Sequence, residues 1–374
     1  MKLIILKKNL KDGLKTIDQI IKDDTTLPIL KNFLIESFEN KIKISATNLE
    51  LAIISFISGK IIENGGITIP FGIFNSIINN LQNERINIEV NNDKIFIKTD
   101  NYEAEINGIK KEDFPIIPKI KNNNSYIEIQ NSILKNTFIN IISSTTKDGK
   151  PEFNGVLCDY QNSIIKFIST DTFRLSEKTL LNNYFKSNID NAFKIIIPLK
   201  TINEVIKETQ LNEDGKINIL FDQNQIVFKN ENTEIISRLI NGEFPEYQQI
   251  IPKTYETEII LNKNELISAI KLVGIFTDKL NEIKIIIKEN LKNIEIFSHD
   301  NVLGANKYLI PAKIKGAPIE AVFNWRFLLD GIKNINTENI FFGFNNSNKP
   351  AIIKSPEDSS YFYILMPIKS QFIA

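Results

Sequence analysis

The segment Lys7-Lys8-Asn9-Leu10-Lys11-Asp12-Gly13-Leu14-Lys15-Thr16-Ile17-Asp18-Gln19-Ile20-Ile21-Lys22 decides the reading of the fold. At about 100° per residue, Lys11, Lys15 and Lys22 fall within roughly 60° of Lys8, while Leu10, Leu14, Ile17 and Ile21 gather on the opposite side. The spacing predicts an amphipathic helix over 8–22 with one lysine face and one core face. Helical spacing returns at 131–147 and 262–279, roughly 125 to 130 residues further on each time. Each helix is followed by an apolar strand and then by a strand with a small polar ending: Ser45-Ala46-Thr47-Asn48, Ser169-Thr170-Asp171 and Ser298-His299-Asp300. A second helix is expected in each unit, over 70–81, 198–209 and 323–335. The first two open on Pro70 and Pro198, which a helix's first turn tolerates. Alternating strands close the units over 86–106, 216–239 and 339–365.

Strand-rich units of this length with two helices each describe an α+β domain in which helices cover one face of an antiparallel sheet. Three copies fill the 374 residues. Borders are expected where proline, asparagine and charge interrupt the periodicity, at 119–124 and 252–257, giving domains 1–121, 122–252 and 253–374. Solenoid repeats span only about 20–50 residues, so whole domains are expected here.

A 42% apolar content with 15 glycines is that of a globular chain. No apolar run approaches the ~18 residues of a spanning helix, and the run 3–6 is cut by Lys7 and Lys8 before it could serve as a secretory core. A cytoplasmic location and no membrane partner are therefore expected. The single cysteine, Cys158, permits no internal disulfide and no thiolate cluster for zinc; within Val156-Leu157-Cys158 it reads as a small strand residue. The single histidine, His299, stands at the polar end of an alternating strand and reads as a turn residue. Most triads and histidine-ligated metal sites are thereby left without support. Asp171 and Asp300 could in principle form an acid pair or hold a hard cation, but no phosphate-cradling glycine loop and no histidine pair accompanies them. No catalytic residue, metal or cofactor is expected.

The 45 basic and 45 acidic residues cancel, so the whole molecule offers no long-range attraction for nucleic acid. The six helical segments nevertheless hold 15 Lys and Arg against 8 Asp and Glu, leaving the rest of the chain acidic. If these helices face one way, contacts to duplex phosphates follow, with Lys8, Lys11, Lys15 and Lys22 as the clearest candidates. No helix clusters Arg, Asn and Gln at one end, so such contacts would ignore base sequence. Aromatic and basic residues do not interleave as single-strand stacking requires.

Several strings, in order along almost the whole chain, carry a family resemblance. They are Thr26-Leu27-Pro28-Ile29-Leu30, Phe114-Pro115, Phe153-Asn154-Gly155-Val156-Leu157, Ser169 to Leu175, Leu239 to Tyr247, and Tyr363-Ile364-Leu365-Met366-Pro367-Ile368-Lys369. Together with the threefold repeat they resemble the bacterial DNA polymerase III beta subunit family, the sliding clamps. The resemblance implies the DNA clamp fold: a head-to-tail homodimer of three-domain chains closing a ring around double-stranded DNA, with helices lining the hole. It also implies a processivity function and a cleft between the second and third domains. That cleft takes short apolar peptides from the DNA polymerase III catalytic subunit, the clamp loader, and other polymerases and repair proteins.

Matching positions on the side of the second domain are Phe153, Thr170, Thr172, Phe173, Arg174 and Leu175. The connection to the third domain adds Pro245, Gln249 and Ile250; the third domain adds Asn324, Phe327 and Pro350, then Ile364, Leu365, Met366, Pro367 and Ile368. As a groove, Leu175, Ile250, Ile364 and Leu365 would be apolar walls and Met366 an adaptable floor. Among the DNA contacts, Lys147 and Lys150 match better than the loop Asp23-Asp24-Thr25, where Asp24 replaces a basic residue. Thr172 and Phe173 stand where the family commonly has glycine and histidine, and a β-branched residue in place of glycine predicts a changed loop. Gln249 replaces a frequent arginine. The tail Ser370-Gln371-Phe372-Ile373-Ala374 is longer than usual and could lie beside the cleft or compete with partners. The alternative to an encircling clamp is a peptide-binding scaffold that uses the cleft but never surrounds DNA.

Overall fold

In a computed structural model the described residues are 1–21, 27–120, 125–146, 149–277, 279–288 and 292–368. Over these residues the threefold period becomes one element order, met three times. The first repeat runs β1 (Lys2–Leu6), α1 (Lys7–Ile17), β2 (Asn32–Phe38), β3 (Lys41–Thr47), β4 (Leu51–Ile57), β5 (Lys60–Glu63) and β6 (Gly66–Pro70). It ends with α2 (Phe71–Asn80), β7 (Arg85–Asn91), β8 (Lys94–Lys98) and β9 (Glu103–Asn107). The second runs β10 (Ile127–Gln130), α3 (Asn131–Ile142), β11 (Gly155–Gln161), β12 (Ile164–Thr170), β13 (Arg174–Leu180), β14 (Phe185–Ser187) and β15 (Phe193–Pro198). After α4 (Leu199–Leu211) come β16 (Lys216–Phe221), β17 (Gln225–Lys229) and β18 (Thr233–Arg238). The third runs β19 (Thr257–Asn262), α5 (Lys263–Val273), β20 (Glu282–Ile287), β21 (Asn293–Asp300), β22 (Gly304–Pro311), β23 (Lys313–Gly316) and β24 (Ile319–Asn324). It closes with α6 (Trp325–Lys333), β25 (Asn339–Phe344), β26 (Ala351–Lys354) and β27 (Tyr361–Leu365).

Except for α4, which runs two residues past the expected 209 to Leu211, the helices end earlier than the periodicity predicts. Apolar spacing continues past Ile17 and Ile142, but only turns follow. Pro70 and Pro198 close strands and do not open helices; Pro70 sits at φ −59°, ψ 119°, extended, immediately before α2. Asn262 and Asn324 do cap helices, the first accepting from Glu265 N–H and the second from Arg326 and Phe327 N–H.

The ladders cross the repeat borders. One nine-stranded antiparallel sheet has the order β14-β10-β16-β17-β18-β4-β3-β2-β6, and a second has β15-β11-β12-β13-β27-β26-β25-β19-β23. A five-stranded sheet, β5-β1-β7-β8-β9, and a four-stranded one, β22-β21-β20-β24, complete the set. Chain compactness accordingly gives two units, not three. One is 1–132 with 186–189 and 203–239; the other is 133–185 with 190–202 and 240–374.

In the first unit α1 buries Leu10, Leu14 and Ile17, and a Cβ at Gly13 would lie 2.7 Å from Ile57 Cγ2 and 3.1 Å from Ile44 Cδ1, so glycine lets the helix approach the sheet closely. In the second unit α5 and α6 bury Leu266, Ile270, Leu328 and Ile332 in one core with Ile283, Ile285 and Ile296 of the four-stranded sheet. Phe342, Ile353 and Tyr363 of the nine-stranded sheet complete that core. Two sheets therefore receive these helices, where a single covered face was expected. Burying apolar side chains from both sheets and from the helix pair removes far more surface from water than either layer alone.

Candidate functional site

The resemblance-derived cleft positions all fall in the second unit. Its frame is the ladder joining β13 to β27, with Arg174 opposite Leu365 and Leu175 opposite Ile364. One step beyond, Met366 N–H donates to Phe173 C=O at 2.8 Å, and Ile368 N–H donates to Val322 C=O at 2.8 Å. The ladder thus delivers the 366–368 segment beside the turn that precedes β13.

That turn is built by side chains. Thr170 Oγ1 accepts from Thr172 N–H at 3.2 Å and donates to Arg174 C=O at 2.8 Å. Asp171 Oδ1 accepts from Phe173 N–H at 3.0 Å and from Arg174 N–H at 2.9 Å. Thr172 adopts φ +75°, the left-handed region. A β-branched residue in place of glycine was expected to avoid glycine's backbone angles; Thr172 takes the left-handed conformation nonetheless, held by the bonds of Thr170 and Asp171 to the N–H groups of Thr172, Phe173 and Arg174.

Arg174 is held by two carboxylates and a ring. Its Nε donates to Asp171 Oδ2 at 2.8 Å and its Nη1 to Asp330 Oδ2 at 2.7 Å. Its guanidinium lies 4.0 Å from the Phe327 ring centroid, and its side chain is only 11% exposed. Burial alone would lower the arginine's pKa, but the Tyr363 phenol, Asp171 and Asp330 outweigh it and hold the guanidinium charged. Tyr363 donates its O–H to Phe327 C=O at 2.8 Å, and burial pushes its phenol up. Asp330 was not among the expected site residues; it lies one helical turn after Phe327, and that i, i+3 spacing was the available signal.

The expected groove walls divide. Phe173 is 61% and Ile250 39% exposed, and Met366, Pro367 and Ile368 are half-buried. Pro245 and Gln249 are exposed, and Phe153 and Pro350 half-buried. Leu175, Ile364 and Leu365 are fully buried and present no wall. Leu175 and Ile364 pack beneath Tyr247 with Leu157 and Ile352, while Leu365 enters the core under α5 and α6. Alternation along a strand sends successive residues to opposite faces, and at this ladder both faces are covered. Asn324 serves as the cap of α6 and Thr170 as a turn acceptor.

Of the basic candidates, Lys8, Lys11 and Lys15 are exposed on α1 and Lys150 is exposed before the turn Pro151–Asn154. Lys22 and Lys147 lie outside the described residues, as do Asp23, Asp24, Thr25 and the tail 370–374. Helix bounds as found contain 11 Lys and Arg against 5 Asp and Glu, so the basic excess persists. Asp171 is committed to its turn and to Arg174. Asp300 accepts from Val302 and Leu303 N–H, and those bonds hold its carboxyl below the usual range. Burial pushes the Cys158 thiol up, and His299 is exposed beside the turn. A cavity of about 1110 Å³ lies elsewhere, in the first unit, under the segment 114–120 and over Ile54, Phe56 and Val227. None of the cleft positions lines it.

Residues 1–118, 128–246 and 248–369 match the family models of the N-terminal, central and C-terminal domains of the DNA polymerase III beta subunit. A beta sliding clamp of Chlamydia muridarum is 27% identical, over 99% of this chain and 99% of its own. One from Bacillus subtilis is 25% identical, over 99% and 100%. Among solved structures, the DNA polymerase sliding clamp from Bacillus subtilis matches with a TM-score of 0.93 at 25% identity, covering 99% of both chains. A putative DNA polymerase III beta subunit from Eubacterium rectale matches with a TM-score of 0.92 at 28% identity, covering 99% of this chain and 100% of that one.

Proposed function

The chain belongs to the DNA polymerase III beta subunit family, the sliding clamps, and from that premise we propose that two copies close head to tail into a ring that encircles duplex DNA and holds polymerase on it. It is a clamp and not an enzyme. Its three domains, 1–121, 122–252 and 253–374, are the repeats.

The observation that carries the ring is strand order. In both nine-stranded sheets the fourth strand of one repeat pairs with the last strand of the next: β4 with β18, and β13 with β27. Among the described residues only β9, the last strand of the first repeat, and β22, the fourth strand of the third, keep open edges at these positions. The five- and four-stranded sheets are the two halves of one more such sheet. A second copy supplies the missing half at each end, and two heterologous contacts of this kind close a dimer. Exposed Leu309 on β22 supplies apolar area for the contact, and exposed Leu272 at the end of α5, whose C=O accepts from Asn306 Nδ2 on β22 at 3.0 Å, adds more.

Lysines on α1, with Lys150, would meet phosphates without reading bases. Such contacts alone hold duplex DNA at only about 10⁻⁴ to 10⁻⁶ M at physiological salt, so retention has to be topological. The polymerase III catalytic subunit, the clamp loader and repair proteins would dock peptides on the surface formed by Phe173, Ile250 and Met366–Ile368. The deciding experiment loads the protein on closed circular duplex and then linearises it. Release on linearisation is expected; protein that stays bound is held by contacts, and the ring is wrong.

A further inference from the structure

We propose that the cavity of about 1110 Å³ under the segment 114–120 binds a small neutral molecule carrying a phenol ring, whose hydroxyl bonds to Ser45. The site needs neither the closed dimer nor the peptide cleft.

The cavity lies between a sheet and a strap. Gly13 of α1 approaches Ile44, Ser55 and Ile57, so alternation turns Ser45, Ile54 and Phe56 to the opposite face of the sheet. On that face Ile54 and Phe56 of β4 join Leu220, Val227 and Ile236 of β16 to β18 as an apolar floor, and Ile117 and Ile120 of the strap pack onto it. One oxygen interrupts the floor. Ser45 sits between Leu34 and Ile54 in the ladder, is fully buried, and its Oγ meets no hydrogen-bond partner among the described residues. A buried hydroxyl is seldom left unbonded, so a ligand oxygen that reaches Ser45 gains more there than it would in water.

The second unit contains the same construction with its space filled. The strap Phe114-Pro115-Ile116-Ile117 recurs as Phe244-Pro245-Glu246-Tyr247, which puts Tyr247 in the place of Ile117. On the sheet, Thr47 and Thr170 start matching turns, with each Oγ1 donating to a C=O four residues on. Two residues before them, Ser45 faces Leu34 and Ile54, whereas Ile168 faces Leu157 and Glu177. Tyr247 is buried in one core with Leu157, Ile168 and Ile352, its phenol beside Glu177. In the first unit a ring has become isoleucine and an isoleucine has become serine, and both exchanges remove apolar volume. The polar group has crossed from β13 to the β3 position. A guest that restores what is missing has a ring where Tyr247 has one and an oxygen turned to Ser45.

The surrounding charges favour a neutral guest. Lys43, on the same face as Ser45, is held by Glu36 at 2.8 Å, and Lys229 by Glu234 at 2.6 Å. The other lining lysines, Lys41, Lys111 and Lys119, are exposed. A carboxylate at the floor would be buried without a free cation, whereas a phenol brings one donor and an apolar ring.

The test titrates para-propylphenol and propylbenzene into the full-length protein and follows the methyl signals of Ile54, Ile117 and Ile236 by NMR. The phenol should shift all three and bind about tenfold more tightly than propylbenzene, the effect of one hydrogen bond in an apolar site. Ser45→Ala should bring that ratio close to one. Ile117→Tyr and Ser45→Ile each copy the second unit and should abolish binding of both probes, with circular dichroism unchanged. N-acetyltyrosinamide carries the same ring on peptide groups that lose water over an apolar floor, and it should bind more weakly than para-propylphenol. Unshifted methyl signals near the solubility limit of the phenol, or a preference for it that survives Ser45→Ala, overturn the site. Binding that persists in both filling variants places the probes elsewhere and overturns it as well. Tighter binding of N-acetyltyrosinamide would make the occupant a tyrosine of another protein and end the small-molecule assignment.

Discussion

Gly331 shows how closely single residues set this architecture. A Cβ built there would lie 2.3 Å from Tyr363 Cδ1 and 2.6 Å from its Cε1 and Cγ. Tyr363 cannot retreat, being fully buried and bonded to Phe327 C=O. Although alanine is the better helix former, Gly331→Ala should destabilise by about 1–3 kcal/mol through overpacking. A thermal melt reads this directly; an unchanged or raised midpoint would show that α6 can lift off β27 at no cost. Residue identity alone could not reveal such a constraint, since glycine inside a helical pattern reads only as a weak propensity. The same limit governs the cleft. The resemblance set Ile250 beside Leu175, Ile364 and Leu365 as four equal walls, yet Ile250 alone of the four is exposed and the other three are core. Only the ladder that covers both faces of β13 and β27 tells them apart.

Helices were the most legible elements, because a 3.6-residue period needs no partner to be recognised. Their ends were less so. On α1, Leu10, Leu14 and Ile17 go inward and Lys8, Lys11 and Lys15 outward, as the angular spacing predicts. This gives the phosphate contact an element-level test. Replacing the three lysines by alanine keeps helix propensity and the buried face intact while removing three charges. If α1 lies along the backbone, the slope of log K against log salt for a short linear duplex should fall in magnitude by about 2 to 3. Peptide binding at the cleft should be unaffected. An unchanged slope would place α1 away from DNA and favour the scaffold reading, in which the cleft functions without encirclement.

At the scale of the molecule, the number of repeats was legible and their joining was not. A repeat announces itself by similarity, whereas strand pairing across a border leaves no local periodicity to read. Once the two internal junctions are known, the third follows by the same rule, and it makes β9 and β22 the surfaces to test. Glu103 and Glu105 on β9 are paired with Lys98 and Lys94 of β8, so this edge is charged and guarded against indiscriminate strand addition. Across the proposed junction, β22 offers exposed Leu309 and Lys307. Leu309→Asp places a carboxylate where apolar area is to be buried, and the isolated chain loses little because that residue is already 52% exposed. The wild type should sediment at twice the 42.8 kDa chain mass. The variant should dissociate at concentrations higher by about 100-fold or more, with its circular dichroism unchanged. It should also fail to remain on circular DNA, since an open ring has no topology to hold it. A Leu309→Asp protein that stays dimeric would mean the two copies meet through other edges, and the nine-strand rule would end with the two sheets already in the chain.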